Sequence, residues 1–502
     1  MNMEYDAIII GAGAAGLTAA VKLSSLGKKI LLLEKQPVPG GFATTFNRKG
    51  FIFESAWHCV DGLQEGGELR NFLEEYGIIQ KINFIELKDF SRIIYPEHDF
   101  TAGFNRDSFV KYLKKSFPQE SRGIERLFGA FDRFYRQLDR YSYSKIPVSL
   151  KIALAPILYP EIIRASFITA EQFIGKFITD AKLKGILTDI WSFIGLAPGR
   201  LSAFYYLIVF RGYYYLPTSY VKGSSRELFK AMAEKIRENG SEIKFNTPAV
   251  RIITDDGKAV KAVVTDKEEI FKAKVVISNA NPIDTLENLI DSPVTRGRYH
   301  KNLAGLEKSI SACQVYLGLK KPAKDLGMDH FMFSVNTSYS HEEDLESCLS
   351  ADYDNCSFSL VDHAQVEPAL VPDGKGSLII MAIDSYTNWE KLSPQEYKLK
   401  KQVVAKRLIQ RAEKYLPGLA EAIEAMEIAT PKTMERYGSA PGGAIYGFAQ
   451  TPEQSTFRRF PLKTEVRGLF LTGAWTQPGA GVHACFISGM DAAKSALNSL
   501  RR

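Results

Sequence analysis

Cysteine, long apolar runs and an excess of one charge are all scarce in this chain of 502 residues. The five cysteines stand apart, with no CxxC pair and no histidine cluster beside them, which argues against a disulfide framework and a metal site. Lysine and arginine number 64 against 57 aspartates and glutamates, an excess too diffuse to indicate a nucleic-acid partner. We therefore predict reduced thiols in a cytoplasmic protein that binds neither metal nor nucleic acid.

The apolar segments are too short or too interrupted to predict a membrane span. The longest uncharged run, Gly468–Met490, contains five glycines and a proline and is typical of a strand, a turn and the start of a helix. The first residues pass directly into an apolar strand and do not resemble a targeting segment. Three other apolar pieces, Leu201–Phe210, Gly212–Val221 and Ile146–Ile163, form either the wall of a pocket or a patch that touches a membrane surface.

The N-terminal residues predict a strand, a helix and a second strand. Tyr5–Ile10 and Lys29–Leu33 are apolar runs of strand length. Between them, Gly13–Gly27 is rich in alanine and leucine, has small residues near its start and ends on a glycine, as a helix would. A β-hairpin is expected to follow, with strands Ala43–Phe46 and Phe51–Glu54.

A GxGxxG motif joins the first strand to the helix. Gly11 permits the tight turn, Gly13 lets the backbone approach a pyrophosphate, and Gly16 lets the helix pack on the sheet. The helix N-terminus at Ala14 and Ala15 presents unpaired N–H groups to the phosphates. Strand, helix and second strand at this spacing predict a dinucleotide site.

The residues after the second strand indicate which dinucleotide is bound. The Glu34 carboxylate can accept both ribose hydroxyl hydrogens, which favours FAD or NAD over NADP. Beyond it, Pro39 is followed by Gly40 and Gly41, where a second glycine turn would let the chain cross the same pyrophosphate. This placement favours FAD, which stays bound in an extended groove.

The remaining segments predict an α/β fold with two domains, both discontinuous. Residues 68–221 are mostly helical and rich in aromatic residues, 222–300 carry a helix and short strands, and 301–425 mix strands with a long helix. We predict a Rossmann-type FAD-binding domain built from 1–67, 222–300 and 426–502. An inserted α+β substrate-binding domain takes up the rest, 68–221 and 301–425.

Two segments, residues 11–41 with the GAGAAG start and residues 468–497 with the turn PGAG, resemble the phytoene desaturase family of FAD-dependent oxidoreductases. That family includes carotenoid desaturases, prolycopene (carotenoid) isomerases and retinol saturases. The resemblance is specific at both ends and compositional through the helical middle. It implies that FAD is held by Gly11, Gly13, Gly16, Glu34, Lys35 and Gly41, by a backbone clasp near Val250, and by flavin-lining residues that include Gly473, Ala474, Gly481 and Val482.

The chain also departs from the family pattern. Phe42 stands where the family has an arginine after the second glycine pair, and Ala474 stands where many flavoproteins have an aspartate that binds the ribityl chain. His58 is similar to the retinol saturase branch, whereas the turn PGAG is similar to the desaturases. The branch within the family therefore stays open.

Two histidines are the candidates for catalysis. If flavin carries the hydride, the protein supplies geometry, a dry pocket and one proton-transfer group. We expect His58 to be that group, because the hairpin returns to the flavin side and an imidazole titrates near neutrality. His483, in the flavin-facing turn, is the second candidate, as proton donor or as a ligand of the flavin carbonyl. The alternative for His58 is a hydrogen-bonded structural role. Glu54 is a weaker candidate, which would accept a proton if burial raised its pKa, and bonding to the ribose or the backbone is its alternative.

Aromatic residues indicate where a flat, conjugated substrate would lie. A tunnel for a polyene would be walled by five tyrosines that otherwise pack in the core: Tyr205, Tyr206, Tyr213, Tyr214 and Tyr215. A short segment before the second Pro-Gly-Gly turn would border the pocket: Glu435, Arg436 and Tyr437.

The leading hypothesis is an FAD-dependent oxidoreductase that adds or removes hydrogen across carbon–carbon bonds of a polyene or isoprenoid lipid, in contact with a membrane surface. Transient electron transfer to or from NAD(P)H or a quinone is compatible with it. Three alternatives stay open: a flavin-dependent carotenoid cis-trans isomerase, an amine oxidase-like flavoenzyme, and an isoprenoid-binding carrier without redox chemistry that resembles Rab GDP-dissociation inhibitors.

Overall fold

The computed structural model describes residues 4–88, 91–102, 105–144, 146, 148–290 and 303–501. The strands are β1 (Glu4–Ile10), β2 (Ile30–Leu33), β3 (Thr45–Arg48), β4 (Phe51–Glu54), β5 (Phe84–Glu86), β6 (Ser91–Ile94), β7 (Asp99–Ala102), β8 (Ser219–Val221), β9 (Glu242–Lys244), β10 (Ala249–Thr254), β11 (Val260–Thr265), β12 (Ile270–Ser278), β13 (Ser311–Leu319), β14 (Met332–Val335), β15 (Phe358–Val361), β16 (Gly376–Asp384), β17 (Ile423–Ala429) and β18 (Leu469–Leu471). The α-helices are α1 (Ala14–Ser25), α2 (Glu68–Glu75), α3 (Arg106–Ser116), α4 (Ser121–Tyr143), α5 (Val148–Leu158), α6 (Pro160–Ala165), α7 (Ala170–Ile174), α8 (Ala181–Leu187), α9 (Ala203–Tyr214), α10 (Ser225–Glu238), α11 (His341–Leu349), α12 (Pro394–Ala412), α13 (Leu419–Ala422), α14 (Pro431–Gly438) and α15 (Val482–Leu500).

The first sheet is mainly parallel and brings the two ends of the chain together. Its order is β10-β11-β12-β1-β2-β9, and β18 pairs in parallel with the end of β12. Strand β2 is buried along its whole length, as expected for a parallel sheet that is covered on both faces. Helix α1 packs against α10 and α15, so residues near both termini build one layer.

The second sheet is mainly antiparallel and forms a separate apolar layer. Its order is β17-β13-β16-β15-β14-β6-β7. The central strands β13 and β16 pair over nine residues each, and every one of those residues is buried. One predicted domain boundary, residue 426, falls inside β17, which pairs with β13. The division into domains stays a prediction.

Helices α3, α4 and α6 to α9 enclose an apolar core of their own. Phe128, Phe131 and Phe134 on α4 are fully buried there and meet the aromatic residues of α9. The spacing of α4 explains this arrangement, because its apolar residues recur on one face of the helix. Among the residues described, no helix combines the length and the apolar character needed to cross a membrane.

Candidate flavin and substrate site

The first glycine turn has the conformation that the motif predicts. Gly11 has a φ of 96°, a backbone conformation that residues with a side chain rarely adopt, and Gly13 is the N-cap residue of α1. A Cβ atom on Gly16 would lie 2.1 Å from the Gly11 carbonyl oxygen. The turn and the start of α1 are therefore packed backbone to backbone, which leaves the N-terminus of α1 available to an anion.

The second glycine turn lies directly against the first. The Gly40 N–H donates to the Ala12 carbonyl at 2.9 Å, and a Cβ atom on Gly41 would lie 3.3 Å from the Gly13 Cα. This contact has the geometry expected if both turns border one pyrophosphate. Phe42, at the position of the family arginine, instead packs its ring against Gly438.

Glu34 fixes the first turn through both of its oxygens. Oε2 accepts a hydrogen bond from the Ala12 N–H at 2.6 Å, and Oε1 accepts one from the Gln36 N–H at 2.8 Å. Burial raises the pKa of Glu34, although these backbone donors oppose the shift. The carboxylate still has acceptor capacity beyond these two bonds, so a ribose contact stays compatible with its position.

Asn279, directly after β12, is a site residue that the sequence pattern does not reveal. Its Oδ1 accepts from the Gly16 N–H at 3.1 Å, and its Nδ2 donates to the Thr472 carbonyl at 3.2 Å. A Cβ atom on Gly13 would lie 2.7 Å from Oδ1, and one on Gly473 would lie 2.4 Å from Nδ2. Asn279 thus connects the first glycine turn to the C-terminal segment, and both of its partners, Gly16 and Thr472, are remote from it in sequence.

One cavity of about 920 Å³ runs along both glycine turns and on to the helical part of the molecule. Its lining includes most of the predicted cofactor and catalytic residues: Gly11, Gly13, Ala14, Ala15, Glu34, Lys35, Gly40, Gly41, His58, Ala474, Gly481, Val482 and His483. Gly16 and Gly473 are packed behind this wall, against Gly11 and Asn279. Val250 is 46% exposed and does not line the cavity, whereas its neighbours Pro248 and Ala249 do.

His58 lies in an uncharged part of the cavity wall. Its ring stacks on His363 with centroids 5.6 Å apart, and its Nδ1 is buried without a hydrogen-bond partner among the residues that the structure describes. Burial lowers the pKa of His58 to about 4. The expectation that this imidazole titrates near neutrality is therefore wrong: His58 is neutral at pH 7, because burial disfavours the charged ring.

His483 lies in a charged part of the same wall. Its Nδ1 is 3.1 Å from Asp61 Oδ1, and its Nε2 is 3.4 Å from Glu68 Oε2. Burial would lower the pKa of His483, but the hydrogen bond and charge of Asp61 and those of Glu68 outweigh it and raise the pKa to about 10. His483 is therefore an imidazolium at neutral pH. Asp61 and Glu68 belong to no sequence motif, so the sequence could not predict that they keep His483 protonated.

The predicted tyrosine wall divides into two groups. Tyr205 and Tyr213 line the cavity, and the Tyr205 hydroxyl donates to the Ala480 carbonyl. Tyr206 and Tyr214 are instead buried in the core of the helical part, and Tyr215 packs beside that core, so the tunnel interpretation is wrong for these three. Helical spacing explains this division, because successive residues of α9 point to different faces.

The remaining acidic candidates lie off the cavity wall. The Glu54 carboxylate accepts hydrogen bonds from the Tyr220 hydroxyl at 2.7 Å and from Ser225, whose N–H is at 2.7 Å and whose Oγ is at 2.5 Å. Burial raises the pKa of Glu54 to about 7. It joins β4 to α10 and has a structural role. Of the segment before the second Pro-Gly-Gly turn, Tyr437 lines the cavity and Glu435 does not.

The far wall of the cavity is mainly apolar. Helix α9 contributes Phe204, Ile208 and Val209, and the second sheet contributes Gln314 and Met381 from β13 and β16. The helical part and the second sheet therefore both contribute to the cavity that the glycine turns line. An elongated apolar ligand would lie between them, because apolar walls offer it burial and few competing polar groups.

A family model described as flavin containing amine oxidoreductase matches residues 14–497. The chain belongs to the flavin-containing amine oxidoreductase family. It is 28% identical to prolycopene isomerase 2 of an Oncidium hybrid cultivar over 97% of this chain and 83% of that protein. It is 25% identical to the all-trans-retinol 13,14-reductase of Danio rerio over 94% of this chain and 82% of that protein. A solved oxidoreductase from Methanosarcina mazei shares the fold, with a TM-score of 0.64 and 17% identity over 98% of this chain and 100% of that one.

These comparisons confirm three predictions made from the sequence. This member of the flavin-containing amine oxidoreductase family is an FAD-dependent oxidoreductase, it has the predicted α/β fold, and its resemblance to the carotenoid isomerase and retinol saturase branches is shown. The cavity fits FAD, since two touching glycine turns, a helix N-terminus and a buried acid line one end of it.

Proposed function

We propose that this flavoenzyme adds or removes hydrogen across a carbon–carbon bond of a polyene or isoprenoid lipid. The observation that carries the proposal is the single cavity that connects the two glycine turns with the mainly apolar wall of α9 and the second sheet. The names of the relatives, one for prolycopene and one for retinol, support a substrate of this class. An apolar, extended substrate gains free energy from such a wall in proportion to the area that it buries.

Residues at both ends of the chain would hold FAD. The first turn and α1 (Gly11, Gly13, Ala14, Ala15 and Gly16) would contact the pyrophosphate together with Gly40 and Gly41, and Glu34 and Lys35 would border the ribose. The backbone near Val250, and Gly473, Ala474, Gly481 and Val482, would complete the site. When bound, FAD supplies the hydride chemistry, and NAD(P)H or a quinone is our proposal for its transient electron partner.

If the reaction adds hydrogen, His483 is the residue that we propose to hold the proton and donate it. Its imidazolium lies on the cavity wall, and Asp61 and Glu68 keep it charged across the neutral range. The Glu68 side chain is 40% exposed, so the group has a route to exchange protons with solvent. His58 has the complementary role, since it extends the wall as a neutral ring that excludes water and shapes the pocket.

An anaerobic assay tests the reaction type. Phytoene, lycopene isomers and retinol are offered in liposomes to oxidised and to chemically reduced enzyme while flavin absorbance and products are followed. A more conjugated product with bleached flavin means desaturation, and a less conjugated product with reoxidised flavin means saturation. An altered isomer with unchanged flavin means isomerisation. No change with any polyene would contradict the proposal and favour an amine.

We also propose that the cavity opens toward a membrane surface. Tyr141 and Tyr143, at the end of α4, line the cavity and are 37% and 65% exposed, so one mouth of the cavity lies there. Helix α5 lies beside this mouth, because Lys151 Nζ donates to the Tyr141 carbonyl at 2.8 Å, and its Leu150 and Ile157 are 48% and 77% exposed. Large apolar side chains beside the entrance of an apolar cavity would lower the cost of moving a lipid from a bilayer into the site.

Vesicle flotation tests this contact. Ile157→Glu is expected to weaken binding to phosphatidylcholine–phosphatidylglycerol vesicles by about tenfold or more, because burying one large apolar side chain contributes roughly 1.5–3 kcal/mol. Leu399→Glu is the matched control: Leu399 on α12 is 68% exposed and does not line the cavity. Equal effects of the two substitutions, or none, would contradict a membrane contact at this mouth.

A further inference from the structure

Arg459 is a buried cation that none of the motifs identifies. It is 2% exposed, and it follows Arg458 in the loop before β18. Its guanidinium donates to four backbone carbonyls: Thr476 at 3.1 Å, Phe448 at 3.0 Å, Ala474 at 2.5 Å and Tyr446 at 3.4 Å. In the part of the chain that the structure describes, no carboxylate forms an ion pair with it.

Two of these carbonyls belong to residues that line the cofactor cavity. Ala474 lies in the C-terminal turn that precedes α15, and Tyr446 lies in a loop that packs against this turn, since a Cβ atom on the neighbouring Gly447 would lie 3.0 Å from the Ala474 carbonyl oxygen. Arg459 therefore holds both loops together by hydrogen bonds, from a position that does not itself line the cavity. The carbonyl dipoles satisfy its N–H groups but do not neutralise its charge, so a positive charge is left behind this wall.

We propose that Arg459 is a positioning residue that favours negative charge on the flavin. The inference rests on FAD occupying this cavity, as proposed above, and not on the identity of the organic substrate. A cation held in a poorly solvated place acts strongly on charges nearby, and it adds to the positive N-terminal end of α15 at Val482. Both features stabilise an anionic flavin relative to a neutral one.

Sulfite provides a test that needs no substrate, because it adds to oxidised flavin, bleaches its absorbance and leaves a negatively charged adduct. The wild-type holoenzyme is expected to bleach with millimolar sulfite. Arg459→Lys and Arg459→Gln both shorten the side chain and lose part of the hydrogen bonding, but only the lysine keeps the charge. We expect sulfite binding to be at least about tenfold weaker in the glutamine variant than in the lysine variant.

Arg458→Gln is the matched control. The Arg458 guanidinium bonds the Ser166 and Pro452 carbonyls and packs on Phe167 and Phe457, away from the cavity lining. Its sulfite affinity is expected to equal that of the wild type.

The outcomes separate charge from structure. Loss of flavin from Arg459→Gln alone would support the proposal, because the two variants differ mainly in charge. Equal sulfite affinity in the Lys and Gln variants, absence of bleaching in the wild type, or loss of flavin from both variants would overturn it. In each of these cases the polyene assay still stands by itself, so failure here and failure of the proposed substrate class are distinguishable.

Discussion

Two histidines lie on one cavity wall and carry opposite charge states. His58 is stacked on a second buried imidazole and has a pKa of about 4, whereas His483 lies between two carboxylates and has a pKa of about 10. The residue type is the same, so the surroundings alone decide which of them can donate a proton at pH 7. The comparison reverses the order of preference that the sequence suggested.

The difference matches the two needs of hydrogen transfer on an apolar substrate. Around His58 the wall is neutral, which suits a polyene that would lose contact with water and gain no hydrogen bonds. Around His483 the wall is charged and linked to solvent by Glu68. A reaction that adds a proton beside a hydride requires both, and the wall provides a neutral side around His58 and a charged side around His483.

The largest expected effect comes from removing the cofactor on which both sides depend. Gly13→Val is expected to abolish FAD retention, because a Cβ atom there would lie 2.7 Å from Asn279 Oδ1 and would occupy the proposed pyrophosphate path. The ratio of flavin to protein absorbance after purification measures this. Gly129→Val on α4 is the control, since a Cβ there meets its nearest atom at 3.7 Å. A folded Gly13→Val protein with stoichiometric FAD would refute the site.

The charged side is tested by His483→Gln. We expect FAD to be retained and turnover to fall roughly 100-fold or more, the usual contribution of a general acid. In the wild type, turnover should be independent of pH through the neutral range and should decline only as pH approaches about 10, where His483 loses its proton. Asp61→Asn should move that decline to lower pH, because it removes the main charge that raises the pKa of His483. An unchanged profile in Asp61→Asn would mean that His483 does not supply the proton.

The neutral side is tested by His58→Ala and His58→Phe. We expect the alanine variant to keep FAD and to lose turnover by about tenfold, since a hole in the wall loosens the alignment of the substrate. The phenylalanine variant should lose less, because a neutral ring is what the site requires. Steady-state kinetics on the polyene that the anaerobic assay identifies would measure both. If His58→Phe were as slow as the loss of a general acid implies, His58 would have to exchange a proton.

The parts of this picture that could be predicted from the sequence are those encoded locally. A GxGxxG turn between an apolar run and an alanine-rich helix specifies its own geometry, and Gly40 and Gly41 follow Glu34 closely in the sequence. The parallel pairing of β1 with β2 was predictable for the same reason, because the predicted helix connects these two strands.

The parts that could not be predicted depend on contacts between remote segments. Asn279 gains its role only because β12 ends beside the first glycine turn, and His483 gains its charge only because Asp61 lies against it. The pKa of His58 depends on its burial, and the ring stacked on it, His363, is more than 300 residues away in sequence. No local pattern carries such information, so sequence reasoning named the two histidines but could not assign their states.

The smallest expected effect, and the most direct measure of the difference between the two histidines, is the pH dependence of stability. The pKa of folded His58 is about 4, below the ordinary 6.5, so the unfolded chain takes up a proton first and stability falls as pH drops from 6.5 toward 4. For His483 the folded pKa is about 10, so its stabilising contribution is full below pH 6.5 and is lost as pH rises toward 10. Each group can change the free energy of unfolding by at most about 1.4 kcal/mol per pH unit.

Denaturant unfolding with excess FAD present measures these slopes. The free energy of unfolding should depend less steeply on pH in the acid range for His58→Phe, and less steeply in the alkaline range for His483→Gln. Because His341 and His363 share the acid window and remain in both proteins, only the difference between wild type and variant reports on His58. Equal slopes in wild type and variants would mean that the neutral and charged sides of the wall do not hold their histidines in opposite protonation states.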